Sequence, residues 1–283
     1  LISRGHARQS QAVSDLLLAL QNAMSGGGLP ASQSPTIDTS IGIRALAGMS
    51  ENEEATELRT AIEWLLSREV TEPGEWSESV KTEPSGWCRH FSNQRFAGAP
   101  ATAMVLIALR EQFSENPPSS LVTDDSMVAI IRANSLNLAH RQIAVLDRVA
   151  AASRRGRRWL LAMQNADGGW GQTQRAITSG RFRVAAEWQD LQDRSTAAST
   201  GRVLQALGAW EMACGQTSVD QAVSWLRQTQ QEDGAWLGLH DASRLEATCA
   251  VIVGLRAVGL PRRDAALQRA AAWCLEMQHE DGG

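Results

Sequence analysis

The sequence predicts an all-α chain built from repeated helix pairs, and three observations carry that prediction. Apolar residues recur three and four apart through most of the 283 residues. No segment shows a convincing run of strand alternation. One loop motif recurs: QNADGGWG at 164–171, QQEDGAW at 230–236 and QHEDGG at 278–283. Each copy has a Trp five residues before its first Gln, namely Trp159, Trp225 and Trp273.

Taken in order, the predicted helices are 13–24, 39–49, 55–69, 101–113, 156–164, 196–210, 218–230, 244–259 and 265–278. Ala, Leu, Gln, Arg and Glu dominate them, all good helix formers. The punctuation between them is MSGGGLP (24–30), TEPGEW (71–76), TEPSGW (82–87) and ENPPSS (115–120), the last the most flexible stretch by composition. A unit of helix, motif loop and helix buries its apolar face against the next unit. A closed ring and an open solenoid both satisfy this pattern. The motif itself has a scaffold reading. Its glycines permit a tight loop, its Asp bonds local backbone, and Gln and Trp clamp one helix end to its neighbour.

Composition excludes several classes. With 27 basic and 31 acidic residues the formal charge is −4, which gives no electrostatic reason to expect nucleic acid. The cluster Arg154, Arg155, Arg157 and Arg158 reads as a solvent face, with an anionic headgroup or diphosphate as the minor reading. Cys88, Cys214, Cys249 and Cys274 lack ligand spacing and read as buried free thiols in a reducing compartment. The histidines form no metal set, and His240 reads as a polar surface residue. Nothing resembles a signal peptide or an 18-residue apolar span. Residue 1 is Leu and the last motif stops before its Trp, so the sequence is read as part of a longer chain.

RWLLAMQNADGGWG, WLRQTQQEDGAW and AAWCLEMQHEDGG resemble the QW repeats of the squalene–hopene and oxidosqualene cyclases. SPTIDTSIGIRALA (34–47), IEWLLSREVTEPGEW (62–76), EPSGWCRHFSN (83–93) and DGAWLGLHDASRLEATCAVIVGLRAVG (233–259) continue the likeness in family order, over roughly residues 33–283. The resemblance implies an α/α barrel (toroid) of helix pairs with QW-type loops: 33–283 as an incomplete acid-bearing domain, and 1–32 as a partial N-terminal segment. It implies an isomerase, an intramolecular transferase of the terpenoid and hopanoid type. Such an enzyme protonates an alkene or epoxide of an apolar polyprene such as squalene and guides a carbocation cascade. It further implies monotopic attachment to one membrane leaflet, on the cytoplasmic side, and neither cofactor nor metal.

The family's acid signature is DxDD followed by Thr or Ser. An alkene is a poor base, so the donor must be a neutral carboxylic acid. A second carboxylate and desolvation together raise its pKa. Two registers compete here. In the first, GWCRHFSN runs without a gap into QRFAGAPATAMVLIAL, and the signature falls on Gly98, Ala99, Pro100 and Ala101, with Thr102 following. In the second it is VTDDSMVAII (122–131), with Val122 in place of the first Asp, Asp124 as donor, Asp125 sharing its charge and Ser126 for Thr. The second register brings the distance onward to QNADGGWG closer to the family's, at the cost of an extra segment of some two dozen residues after Asn93. A plain N-cap explains the same TDDS.

Other positions follow by resemblance. The Asp–x–x–x–His pair that supports the acid corresponds to Ala198 and Arg202, and family aromatics to Ile37 and Arg89. Trp87 and Trp188 are candidate cavity walls, with core packing as the alternative. Asp38 matches an Asp beside the active-site wall, with helix capping as the alternative. Three functions remain open: a squalene-type cyclase, a non-catalytic degenerate helical repeat protein, and a cyclase taking a prenyl diphosphate, favoured only by the Arg clusters.

Overall fold

A computed structural model describes residues 34–46, 54–78, 80–89, 96–115, 136–172, 194–238 and 244–279. The chain divides into two compact units, Leu1–Ser34 and Pro35–Gly283, and all described residues but Ser34 belong to the second. Eight α-helices lie among them: α1 Pro35–Leu46, α2 Glu54–Ser67, α3 Ala99–Glu115, α4 Leu136–Ala162, α5 Ala197–Ala209, α6 Thr217–Thr229, α7 Arg244–Ala257 and α8 Ala265–Met277. A single 3-10 turn, Glu75–Glu78, follows α2. The extended backbone among the described residues is one isolated bridge, Glu69 to Trp87. The predicted helix at 13–24 lies outside the described residues. That at 156–164 is the end of the much longer α4.

The helices alternate between two rows. Within one row α1 packs on α3, α3 on α5 and α5 on α7; each of α2, α4, α6 and α8 backs the helix it is paired with, and α2 also meets α4. Sequence decides the row. In α3 every residue from Ala101 to Leu109 is buried, which suits a helix apolar on all sides and enclosed by neighbours. The outer α6 buries only Val219, Ala222, Val223 and Leu226, the single stripe of a helix with solvent behind it. Inner helices α5 and α7 touch through glycine: a Cβ on Gly201 would sit 2.6 Å from the Ala250 carbonyl, and Gly208 faces Ala257 in the same way. Larger residues there would force the helices apart.

The Gln–Trp loops join the rows, and both fully described copies do so atom for atom. Gln164 Nε2 donates to Gly168 O (2.7 Å) and to Ser218 O (2.8 Å) in the first turn of α6. Gln230 Nε2 donates to Gly234 O (2.8 Å) and Ala266 O (2.9 Å) in the first turn of α8. Gly168 and Gly234 have φ of 96° and 94°. Added Cβ atoms there would strike the backbone of Gln221 and Arg269, so glycine is required twice over.

The Trp of each loop is wholly buried and binds at both ends. Trp170 Nε1 donates to Leu160 O of α4 (2.7 Å), while its backbone N–H donates to Thr200 Oγ1 of α5 (3.0 Å). Trp236 repeats this with Leu226 O of α6 (2.8 Å) and Thr248 Oγ1 of α7 (3.0 Å). Each indole thus fixes the outer helix before it, and each hydroxyl ties the inner helix after it. Thr200→Val keeps the volume and leaves the buried Trp170 N–H without an acceptor, a loss of about 1–3 kcal/mol. Urea titration should show the lower midpoint for Thr200→Val and a change of less than about 1 kcal/mol for Thr200→Ser, which keeps the hydroxyl.

Candidate functional site

The same double attachment occurs once more, ahead of the motif loops. Trp87 Nε1 donates to Leu65 O of α2 (2.7 Å), and the Trp87 N–H donates to Thr102 Oγ1 of α3 (2.9 Å). Gly98 N–H donates to Trp87 O (2.9 Å) as Thr196 N–H donates to Trp170 O (2.9 Å). In the two inner helices the threonine N–H then bonds four residues back, Thr102 to Gly98 and Thr200 to Thr196. Gly98 therefore stands where Thr196 caps α5, and Ala99, Pro100 and Ala101 form the first turn of α3. Pro at the second helical position costs no hydrogen bond, since those N–H groups have no partner within the helix.

That turn is small and dry. Gly98, Ala99, Ala101 and Thr102 are buried and Pro100 is half-buried. A Cβ at Gly98 would lie 2.9 Å from the Gln172 carbonyl, so the space that a side chain there needs is filled by backbone. None of these residues carries a titratable group. One turn along, the Arg202 guanidinium of α5 reaches the Met104 sulfur (3.5 Å) and forms an ion pair with Glu246 of α7. Ala198 sits half-buried one turn before Arg202. What the arrangement presents beside the start of α3 is a fixed cation with its counter-ion.

The other described candidates sit on α1 and in the segment between α2 and α3. Asp38 is exposed in the first turn of α1, where a carboxylate complements the helix N-terminus. Trp87 is a wholly buried bracket between α2 and α3. Ile37 is half-buried and Arg89 exposed. Asp124, Asp125, Trp188, Val122, Ser126 and His240 lie outside the described residues.

Two sequence readings need correction. Only Cys88 is buried among the cysteines; Cys214 and Cys249 are exposed and Cys274 is intermediate, because each sits at the rim of its helix or in a loop. The Arg cluster divides as well. Arg154 and Arg158 face solvent, but Arg155 pairs with Glu69 (2.6 Å). Arg157 lies over the Trp210 ring at 4.9 Å. Burial, with Arg154 and Arg158 nearby, holds the Arg157 guanidinium below its ordinary pKa.

Sequence reasoning missed Arg110, which shares the Trp210 ring and donates to Ala209 O (2.9 Å) at the C-terminal end of α5. No local spacing reveals contacts that close so far along the chain. A groove of about 580 Å³ opens here, lined by Ile107, Arg110, Glu111, Gln205, Val253 and Arg256. It lies toward the C-terminal ends of α3, α5 and α7, about 15 Å along α3 from Gly98. Its guanidiniums are committed in part to helix-end carbonyls, as helix dipoles favour. Among the described residues no group of three or more His, Cys, Asp or Glu is arranged to hold a metal ion.

A model of the squalene-hopene cyclase C-terminal domain matches residues 33–121 and 115–283. The chain belongs to that family. Its relatives include the squalene–hopene cyclase of Alicyclobacillus acidocaldarius, 28% identical over 209 residues, covering 73% of this chain and 28% of that protein. The sporulenol synthase of Bacillus subtilis is 28% identical over 249 residues, covering 83% of this chain and 33% of that protein. This chain therefore spans about a third or less of these curated relatives. The ent-copalyl diphosphate synthase from Streptomyces platensis aligns structurally over 95% of this chain and 48% of its own, at 15% identity and a TM-score of 0.42. The two rows of paired helices are consistent with an α/α repeat, and no described helix is long and apolar enough to cross a membrane.

The loop carboxylates offer a test of the geometry by pH. Asp233 accepts the Ala235 N–H (3.1 Å) and pairs with Arg244 (2.5 Å). The Arg244 hydrogen bond first, and the Ala235 N–H second, hold its carboxyl below the ordinary carboxylate range. A depressed folded-state pKa stabilises the fold above the unfolded-state value, and that stabilisation disappears as pH falls through the folded-state value. Asp233→Asn keeps an oxygen for Ala235 and removes the charge. Melting temperatures of the two proteins should differ at neutral pH and converge in acid; a constant gap would show that the charge contributes nothing.

Proposed function

We propose that this chain is a squalene-cyclase-type domain that retains the scaffold and lacks, at the family position, the acid that starts the cascade. The observation that carries this reading is the Trp87 N–H bond to Thr102 Oγ1. It supports the register in which Gly98, Ala99, Pro100 and Ala101 correspond to DxDD and Thr102 to the Thr after it. Protonating an alkene requires a neutral carboxylic acid in a dry site. Here the turn carries no acid, and the Gln172 carbonyl takes up the side-chain space at Gly98. Arg202, at the position of the supporting His, is ion-paired with Glu246 and would repel a neighbouring carbocation. We read the two rows of helices as a sector of an α/α barrel over residues 33–283. The ligand class assigned to it is an apolar polyprene reached from one membrane leaflet, without cofactor or metal. On this reading the domain does not itself initiate polycyclisation.

A second reading has its own support. The second family-matched segment, 115–283, contains Asp124 and Asp125, so these carboxylates belong to a stretch of cyclase-like sequence. They are then the donor and its charge-sharing neighbour. Trp87 and Trp188 are cavity walls in that case, with Asp38 beside them. The 283-residue chain should be incubated with squalene and with 2,3-oxidosqualene and the extract analysed by gas chromatography with mass detection. The proposal expects no cyclic product from the wild type or from Asp124→Asn. Cyclic product from the wild type that is lost in Asp124→Asn overturns it and establishes the second reading.

A further inference from the structure

The α7–α8 hairpin carries two thiols that no part of the scaffold uses. Cys249 lies about 12 Å before the end of α7, and Cys274 about 13 Å beyond the start of α8, at 1.5 Å per residue. The two helices pack against each other and run in opposite directions from a short connection, so these residues stand at the same height. Their thiols are in side-chain contact, Cys274 with Cys249. Cys249 is exposed and Cys274 intermediate, which puts the pair at the solvent edge of the α7–α8 seam. The other cysteines are placed elsewhere. Cys88 is buried in the core. Cys214 is held by its N–H bond to Val258 O (3.0 Å), about 13 Å up α7 from Cys249.

We propose that Cys249 and Cys274 form a dithiol site that a hydroperoxide closes into an α7–α8 disulfide. The Cys249 thiolate attacks the peroxide oxygen, breaking the O–O bond and releasing an alcohol or water. The sulfenic acid so formed is attacked by the Cys274 thiol, which forms the S–S bond and releases water. The two sulfurs are oxidised by two electrons in all, and the peroxide is reduced by the same two. The product is a covalent tie between the last inner helix and the last outer helix among the described residues. It removes conformational freedom from the unfolded chain. This inference stands independently of the acid and its register.

The reduced full chain should be treated with hydrogen peroxide, quenched, and mapped by tryptic digestion without reduction. Peptides 245–256 and 270–283 are expected as one cross-linked species, lighter than their sum by two hydrogens and released by a thiol reductant. The oxidised protein should also melt higher than the reduced one. Cys249→Ser and Cys274→Ser should each lose the cross-linked species while keeping the wild-type helical circular dichroism. Stable sulfinic acid on Cys249 without the cross-link, or a cross-link to Cys214 or to a second molecule, overturns the proposal.

Discussion

A backbone N–H of tryptophan bonded to a threonine hydroxyl is the interaction on which this architecture depends. It occurs at Trp87–Thr102, Trp170–Thr200 and Trp236–Thr248, at 2.9–3.0 Å each time. In every case the same tryptophan uses its indole N–H on the last turns of the preceding outer helix. Threonine in the second turn of an inner helix is an unusual choice for a buried site, since its hydroxyl needs a partner there. The tryptophan backbone supplies that partner, and two buried polar groups satisfy each other. With its helices fixed this way, the scaffold can enclose the apolar stretch of α3 on all sides and let α5 and α7 meet through glycine.

The constraint has a chemical consequence at the start of α3. Once Trp87 holds Thr102, the four residues before it are committed to the cap and first turn of a helix whose surroundings are already filled. Side-chain size there is limited by the Gln172 carbonyl, and charge is limited by burial. A carboxylate pair in that turn needs both space and a neighbour able to carry its proton balance. This chain instead has Gly, Ala, Pro and Ala there, with an Arg202–Glu246 pair one turn along. On the proposed register these residues agree with one another: without an acid there is no need for a basic partner, and a permanent cation becomes tolerable. On the proposed reading, the scaffold outlasted the chemistry because the clamps that hold it do not involve the acid.

Most helix boundaries were legible from apolar spacing, to within a few residues, because an outer helix such as α6 has one buried stripe and the inner α3 is apolar from Ala103 to Leu109. The exception is α4. Its later turns carry Asp147, Arg148, Arg154, Arg155, Arg157 and Arg158, and the stripe of Val145, Val149, Ala152, Gly156 and Trp159 that buries it is easily lost among them. The motif loops were legible as clamps from residue type alone, but their partners were not. Thr248, Thr200 and Ser218 lie 12, 30 and 54 residues from their partners, and nothing local marks them as acceptors. The same holds for Arg110 and Arg157 on Trp210, and for the pairing of Arg202 with Glu246. Cysteines in apolar helices looked buried because composition does not reveal which side of the helix meets solvent. Of the candidate site, sequence supplied both registers of the acid signature; the contact between Trp87 and Thr102 is the observation that supports the first.

Amide hydrogen exchange at Trp87 measures that contact most directly. A backbone N–H bonded to a buried hydroxyl exchanges only when the structure around it opens. In Thr102→Val the Trp87 amide should exchange faster than in the wild type while the Trp170 and Trp236 amides keep their protection, and Ser126→Ala should leave all three unchanged. Unchanged Trp87 protection in Thr102→Val, with faster exchange in Ser126→Ala, would contradict the account by placing the acid signature at 122–126.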